Sequence, residues 1–491
     1  MAVSLSLTTL SSLPPNVGRP SYERSLLTAG ILHFGVGNFH RSHQAVYLDR
    51  LLNTGQGRDW AIVGAGVFEA EREGRAKLRE QDWLTTVVEQ DAGHRQAQVT
   101  GVMIDFLTPG DATAIIEKLA DPAIRIVSLT ITEGGYFIDP ASGKFNPAHP
   151  DIVADAADML APKTVFGLIV AALMRRRSED MMPFTVMSCD NIPHNGRVTS
   201  DAVVGLAELV DSDAARWIRE RVAFPNAMVD RITPATTDRE RALLADEFGV
   251  KDNWPVFCEP FIQWVLEDKF TDGRPALEKV GVQFVDDVSP FELMKIRILN
   301  GGHAAIAYPA GLLDIHFVHE GMQEKLVGDF LDKVEREEII PTVPPVPGVV
   351  LEDYYALVAR RFSNPTIGDT IRRLCLDGSN RQPKFIIPTV ADRLEAGKGV
   401  EGLALESALW CRYCFGTTDS GKMIAPNDPN WDRMTATAKV AKEDPGAWLA
   451  MEDIYGAVGR NHVFAEAFSR HLKSLWAEGT RATLTRYLAG A

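Results

Sequence analysis

The chain has 491 residues, 51 Lys plus Arg against 66 Asp plus Glu, and a formal charge of −15. Its 45% apolar and 24% charged residues are the balance of an ordinary globular protein, and its length suits about two or three domains. The excess of negative charge argues against nucleic acid or an anionic membrane surface as a partner, because phosphate binding needs a positive footprint.

The first twenty residues lack a basic n-region, and Pro14-Pro15 interrupts any apolar core. No signal peptide is read there, and a cytoplasmic location is expected. The longest apolar run, Val165 to Met174, has ten residues and is followed by Arg175-Arg176-Arg177, whereas a spanning helix needs about 20. Five cysteines, an odd number, fit a reducing compartment. Cys411 and Cys414 form a CxxC, but a tetrahedral zinc site needs about four ligands and no second CxxC exists. Chance spacing in a helix is the preferred account of that pair.

In chain order, Ile31–Val36 (ILHFGV) reads as a buried strand and Phe39–Leu52 as the helix after it. Trp60–Val67 is a second strand, with a polar helical stretch from about Glu69 to Arg79. Ile124–Thr132 and Phe184–Ser188 are further strands, and Ala112–Leu119 and Thr164–Arg177 supply helices between them. Runs of Val and Ile with little polar alternation predict strands covered on both faces. Their repetition with helices predicts a Rossmann-type, doubly wound parallel sheet over 1–285. Beyond that the texture is helical, with apolar residues at helical spacing from Phe291 to Leu313, Met322 to Val334, Tyr354 to Phe362, Leu403 to Tyr413 and Phe464 to Trp476. A proline-rich connector is expected at Ile340–Val350. The fold class is therefore α/β, with a mainly α-helical C-terminal domain at 286–491.

Gly35-Val36-Gly37-Asn38-Phe39-His40 closes the first strand and opens a helix. Two glycines fit the dinucleotide fingerprint, one to turn the chain and one to admit a pyrophosphate, while His40 stands in place of the third. Glu69 and Glu71 follow the second strand, where an acid would accept hydrogen bonds from an adenosine ribose and favour NAD over NADP. An exposed helix start, where acids suit the dipole, explains both equally well.

Ser289 to Gly311 (SPFELMKIRILNGGHAAIAYPAG) carries the densest signal. Ser289, Pro290 and Glu292 read as cap, first residue and capping-box partner of one long helix. With Lys295 at zero and ideal α geometry, Asn300 falls at about 140° and His303 at about 80°, over an axial span of about 12 Å. All three share one flank. Gly301-Gly302 costs about 1 kcal/mol per residue against Ala inside a helix, which suggests that something approaches the backbone closely. A surface lysine, an interior amide and a core histidine are the bland alternative. A second cluster, SCDNIPHNG (188–196), sits where a strand ends, the usual side for ligands in open α/β sheets; a plain capped loop competes with that.

FGVGNFHRSHQAVYLDRLL (34–52), SLTITEGGY (128–136), SCDNIPHNG (188–196), FPNAMVDRITP (224–234) and MKIRILNGGHAA (294–305) together resemble the mannitol 2-dehydrogenase family of polyol-specific long-chain dehydrogenases and reductases. The likeness runs from about residue 30 to 480. It implies a Rossmann-type domain, a helical domain, an active site between them, and no metal. It implies reversible hydride transfer between NAD and C2 of a polyol, D-mannitol and D-fructose above all, in a monomeric protein. It places the catalytic base on Lys295, polarising asparagines on Asn191 and Asn300, and a substrate-orienting histidine on His303. Asp230 and Arg373 match substrate contacts. Arg381 stands where the family has a lysine, with Lys384 close by. Gly35, Gly37, Asn38 and Phe39 fall in the cofactor turn, and Glu133 lies near the nicotinamide. Of the family's acidic ribose pair, Ala70 holds the first position and Glu71 the second, with Glu69 able to compensate. Glu292 is read as a proton relay or as a helix cap.

Three rivals remain open at this stage. A fructuronate or tagaturonate reductase of the same superfamily would need a cation for the substrate carboxylate, and sorbitol and D-arabinitol share the C2 region of mannitol. A non-catalytic dinucleotide sensor would not need Lys295, Asn300 and His303 in register. A metal-dependent alcohol dehydrogenase would need more than His40 with His43, or His316 with His319.

Overall fold

The computed structural model describes residues 2–139 and 143–490, which divide into two units at Val288 and Ser289. In the first unit, five parallel strands form one sheet: β1 (Ala29–Phe34), β2 (Ala61–Ala65), β3 (Met103–Phe106), β4 (Ile126–Leu129) and β5 (Thr185–Ser188). Their order is β3-β2-β1-β4-β5, so the chain winds outward in both directions from β1. That is the Rossmann order, which opens a crevice at the carboxyl ends of β1 and β4.

Side chains explain why the sheet is covered twice. Leu32 and Phe34 of β1 join Val127, Leu129 and Val186 in one core, with Ile115, Ile169 and Leu173 of helices α4 (Ala112–Ala120) and α5 (Val165–Ser178). Ile31, Ile62, Ile126 and Met187 enter the opposite core, under Tyr47, Leu48 and Leu51 of α2 (Gln44–Asn53). The alternation along each strand delivers apolar residues to both faces. α5 is buried from Val165 to Leu173. Its Arg176 is also buried and caps four carbonyls: those of Leu119, Met182, Asp121 and Ile124, at 2.9, 2.8, 2.5 and 2.7 Å.

The expected helix over Phe39–Leu52 is broken. α1 (Asn38–Ser42) and α2 are separated at His43, whose φ and ψ are −117° and −87°. Tertiary contacts pull this residue out of the helix: Nε2 lies 2.8 Å from the Gln263 carbonyl, and the ring stacks on Phe39 at 4.8 Å. Besides a two-stranded pairing of Val3–Ser4 with Val250–Lys251, two larger sheets were not predicted. One is four-stranded and built on the hairpin Thr85–Asp91/His94–Thr100; the other pairs Ala227–Asp230, Gln263–Glu267 and Gln283–Val285. Segments such as HRQAQVT carry too many polar residues to read as strands.

The second unit is helical. The helix expected over 289–313 is three pieces: α7 (Ser289–Met294), a π-helical turn (Lys295–Asn300) and α8 (Gly301–Leu312). Further helices are α9 (Lys325–Val334), α10 (Leu351–Phe362), α11 (Gly378–Phe385), α12 (Glu401–Cys414) and α13 (His462–Leu488). A second π turn, Glu335–Ile339, follows α9, and the proline-rich stretch after it holds only a short 3-10 turn at Ile340–Thr342. Cys411 and Cys414 lie buried in α12, where burial raises both thiols, and all five cysteines are free. Among the described residues no helix is long and apolar enough to cross a membrane.

Arg176→Met is expected to leave buried carbonyls without donors and to destabilise the first unit by about 3 kcal/mol. A lower urea midpoint in the fluorescence transition of that unit checks this.

Candidate active site

The turn after β1 requires its first glycine. Gly35 has φ +91°, and a Cβ there would sit 2.0 Å from the Thr130 carbonyl oxygen. Gly37 faces open space, since a Cβ would meet only the Gly35 oxygen at 3.8 Å. The bare backbone thus forms a shallow cradle ahead of α1, which fits the approach of a pyrophosphate. His40, in place of the third glycine, stacks flat on His33 at 3.5 Å, so two imidazoles provide the close helix–strand packing. Burial keeps both neutral, lowering His33 to about 3 and His40 well below its usual range. Asn38 is held at both ends. Its Nδ2 donates to the Pro234 carbonyl at 3.2 Å, and its Oδ1 accepts from Arg41 at 2.7 Å.

The two candidate ribose acids sit differently. The Glu71 carboxylate accepts from the Val67 and Phe68 amides, both at 2.8 Å, and so shapes the loop after β2; burial raises it. Glu69 is 83% exposed at its side chain and pairs with Arg72 at 2.8 Å.

At the end of β5 the structure brings forward two residues that the sequence analysis did not single out. Asp190 accepts from the Ile131 and Thr132 amides, each at 2.9 Å, and from the Tyr136 hydroxyl at 2.6 Å. It thereby fixes the turn carrying Glu133, in which Thr132 is held at φ +64°, a strained value for a β-branched residue. Asn195 is fully buried; its Nδ2 donates to the Asp190 and Ala227 carbonyls at 3.0 and 2.7 Å. One loop therefore links exposed Asn191, exposed Glu133 and the strand ending at buried Asp230. The available signal was an acid and an amide flanking Asn191 at a strand end.

In the second unit, Lys295 opens the π turn and Asn300 ends it, each 8% exposed. The Gly301 amide donates to the Ile296 carbonyl, five residues back, which closes the turn. An i→i+5 turn advances by less than about 100° per residue, so residue 300 comes round closer to residue 295 than α geometry allows. Glu292 is buried on α7. His303, on the first turn of α8, stacks on Phe362 at 4.3 Å, and its enclosed Nε2 has no partner among the described residues. Burial first, then the charges of Arg373, Arg361, Arg381 and Lys295, hold this imidazole well below its usual range. Lys295, His303, Arg373 and Arg381 thus belong to one cluster, while Lys384 is exposed. Arg373 is held by the Asp369 carboxylate, and Arg381 donates to the Leu374 carbonyl at 3.1 Å.

The group that approaches the glycine pair is a protein side chain. A Cβ on Gly302 would lie 2.9 Å from Glu335 Oε1 and 3.4 Å from the Phe362 ring. Glu335 begins the second π turn. Its carboxyl is fully buried without a partner among the described residues, and burial raises it well above the carboxylate range. Among the described residues no group of three His, Cys, Asp or Glu could hold a metal ion.

Residues 29–279 match the model of the mannitol dehydrogenase Rossmann domain, and residues 287–476 that of the mannitol dehydrogenase C-terminal domain. A mannitol 2-dehydrogenase of Cereibacter sphaeroides is 59% identical over 476 residues, covering 96% of this chain and 99% of the relative. A ternary complex of Pseudomonas fluorescens mannitol 2-dehydrogenase with NAD and D-mannitol aligns with a TM-score of 0.89 at 44% identity, covering 100% of both chains. A D-sorbitol dehydrogenase in substrate-free form aligns with a TM-score of 0.90 at 35% identity, covering 98% of this chain and 100% of that one.

Asp190→Ala removes three hydrogen bonds from the Glu133 turn and is expected to cost about 2–4 kcal/mol. Asp190→Asn, which keeps one acceptor, should cost about half as much, by chemical denaturation. Equal stability of all three proteins would contradict the assigned role.

Proposed function

Because the chain belongs to the mannitol dehydrogenase family and is a polyol oxidoreductase, we propose that it interconverts D-mannitol and D-fructose at C2, with NAD as hydride acceptor and Lys295 as a metal-independent base. The observation that carries this is the π turn, which has a buried lysine at its start and a buried asparagine at its end, one turn before a neutral histidine.

A lysine is a base only when uncharged. Burial disfavours an ammonium ion, and Lys295 is buried. Lys295 Nζ takes the proton of the C2 hydroxyl as the C2–H bond breaks with its electron pair, leaving the carbonyl. Asn300 donates to the developing alkoxide, and Asn191 is assigned the second donor; such donors are worth about 3–4 kcal/mol each. His303, kept neutral, holds a neighbouring hydroxyl. Asp230, Arg373 and Arg381 are assigned to the remaining hydroxyls, with Lys384 behind them. Gly35, Gly37, Asn38 and Phe39 would hold the dinucleotide, Glu69 and Glu71 its ribose, and Glu133 its nicotinamide end. When bound, that group supplies the hydride acceptor. The acidic loop after β2 supports NAD over NADP.

One observation favours a second reading. Three arginines act on His303, and a sugar acid would use such charge. All three already have partners within the protein, Arg373 the Asp369 carboxylate among them, so the neutral polyol takes precedence. Turnover of mannitol above mannonate supports it, and the reverse order would replace it.

Lys295→Ala is expected to lower kcat by about 10²–10⁴-fold with the NAD dissociation constant unchanged; normal turnover would overturn the assignment of the base. EDTA should leave activity intact, and a loss restored by zinc would contradict the metal-independent mechanism. In a panel of mannitol, sorbitol and D-arabinitol, NAD⁺ should be reduced faster than NADP⁺ with each active polyol.

A further inference from the structure

Helix α11 carries Arg381 and Lys384, and between them Gln382 points into the protein, 2% exposed. Its Nε2 donates to Glu406 Oε1 of α12 at 2.6 Å, and it lies beside the Tyr308 hydroxyl of α8. The seat is tight. A Cβ on Gly378, at the start of α11, would lie 2.6 Å from Trp410 Nε1 and 2.8 Å from the Tyr308 hydroxyl. Gln382 is therefore the polar link between the helix bearing two substrate cations, the helix continuing from Lys295, and α12.

Two oxygens in this link are enclosed without a donor, Gln382 Oε1 and Glu406 Oε2. Both are acceptors, and the Glu406 side chain is fully buried. An amide and a carboxyl group already joined by one N–H···O bond need a single proton to satisfy both remaining oxygens. We propose that Glu406 carries that proton in the working enzyme and closes a cyclic acid–amide pair with Gln382, Oε2–H donating to Gln382 Oε1, so that Glu406 and Gln382 act as positioning residues for Arg381. The proposal rests on the polyol-oxidoreductase reading for its kinetic consequence, though not for the pair itself.

The surroundings agree. Burial raises the Glu406 carboxyl to about 8, outweighing the Gln382 hydrogen bond that lowers it, and no cation or second carboxylate contributes; the Ser407 hydroxyl next to it makes no hydrogen bond among the described residues. The titratable groups that face it are Tyr308 of α8 and Tyr455 of the short helix Glu452–Tyr455; burial raises both well above their usual values, so they are uncharged near neutrality. The sign follows. An acid raised on folding favours the protonated folded state, so stability falls as pH rises from the unfolded value of about 4.5 to about 8 and is then level. Above about 8 the folded chain loses the O–H donor, the ring opens, and the seat of α11 loosens.

The test compares wild type with Glu406→Gln, whose second amide closes the same ring without titrating. Polyol KM and NAD KM are measured from about pH 6 to about pH 10. The ratio of wild-type to E406Q polyol KM should be near one at neutral pH and rise about threefold to tenfold in alkali, the worth of one buried hydrogen bond. The same ratio for NAD should stay flat. Gln382→Leu should raise polyol KM at every pH. Parallel polyol profiles for wild type and E406Q overturn the positioning role. Infrared difference spectra of wild type against E406Q, or against Q382L should E406Q not fold, read the pair without any substrate. A protonated-carboxyl band that disappears with a midpoint near 8 supports the pair, and its absence at neutral pH overturns it whatever the enzyme turns over. A titrating band in a protein that turns over no polyol leaves the pair standing and sinks the functional reading instead.

Discussion

One hydrogen bond, from the Gly301 amide to the Ile296 carbonyl, closes the turn that carries the proposed base and its asparagine. In an α-helix, Lys295 and Asn300 would sit about 140° apart around the axis. The wider turn narrows that angle. π turns are poorer in hydrogen-bond geometry and persist where the surroundings enforce them. Here the enforcement is visible: Ile298, Leu299 and Asn300 are buried, Glu335 of the second π turn packs against Gly302, and Phe362 covers both Gly302 and His303.

Burial also sets the chemistry. A chain with a net charge of −15 keeps several titratable groups neutral by taking them out of water. His33 and His40 stack as neutral rings beneath the glycine turn, His303 stays neutral beside three arginines, and Glu335 and Glu406 are raised without a cationic partner. The same penalty on charge that makes these acids neutral is what a lysine base needs. Elsewhere in the first unit, buried polar side chains serve backbone groups. Asp190 and Asn195 bind backbone groups on three segments, and Arg176 takes up four carbonyls.

Much of this was legible in the residues. Val- and Ile-rich runs gave all but one of the parallel strands within a few positions, because strands covered on both faces are apolar throughout. The missing strand, Met103–Phe106, is short and contains Asp105. The antiparallel hairpin escaped for the same reason in stronger form. Periodicity located the helix of Lys295, Asn300 and His303 but not its π turn, since a pattern read at 100° per residue assumes the geometry it is used to find. The Gly301-Gly302 pair correctly indicated a close approach, and its partner, Glu335, lies in a segment whose run of charges reads as a solvated face. Asp190 could have been found as the acid between Ser188 and Asn191; its partners, the amides of Ile131 and Thr132, are invisible to sequence because every residue has an amide.

The central claim is that an uncharged amine at position 295 removes the carbinol proton. Rescue of the Lys295→Ala protein with small primary amines of graded basicity tests it most directly. The account predicts that added amine restores polyol oxidation in proportion to its neutral fraction, with rate rising with amine basicity at fixed neutral concentration. Rescue by carboxylates in place of amines, or restored turnover that follows the ammonium concentration, would contradict it.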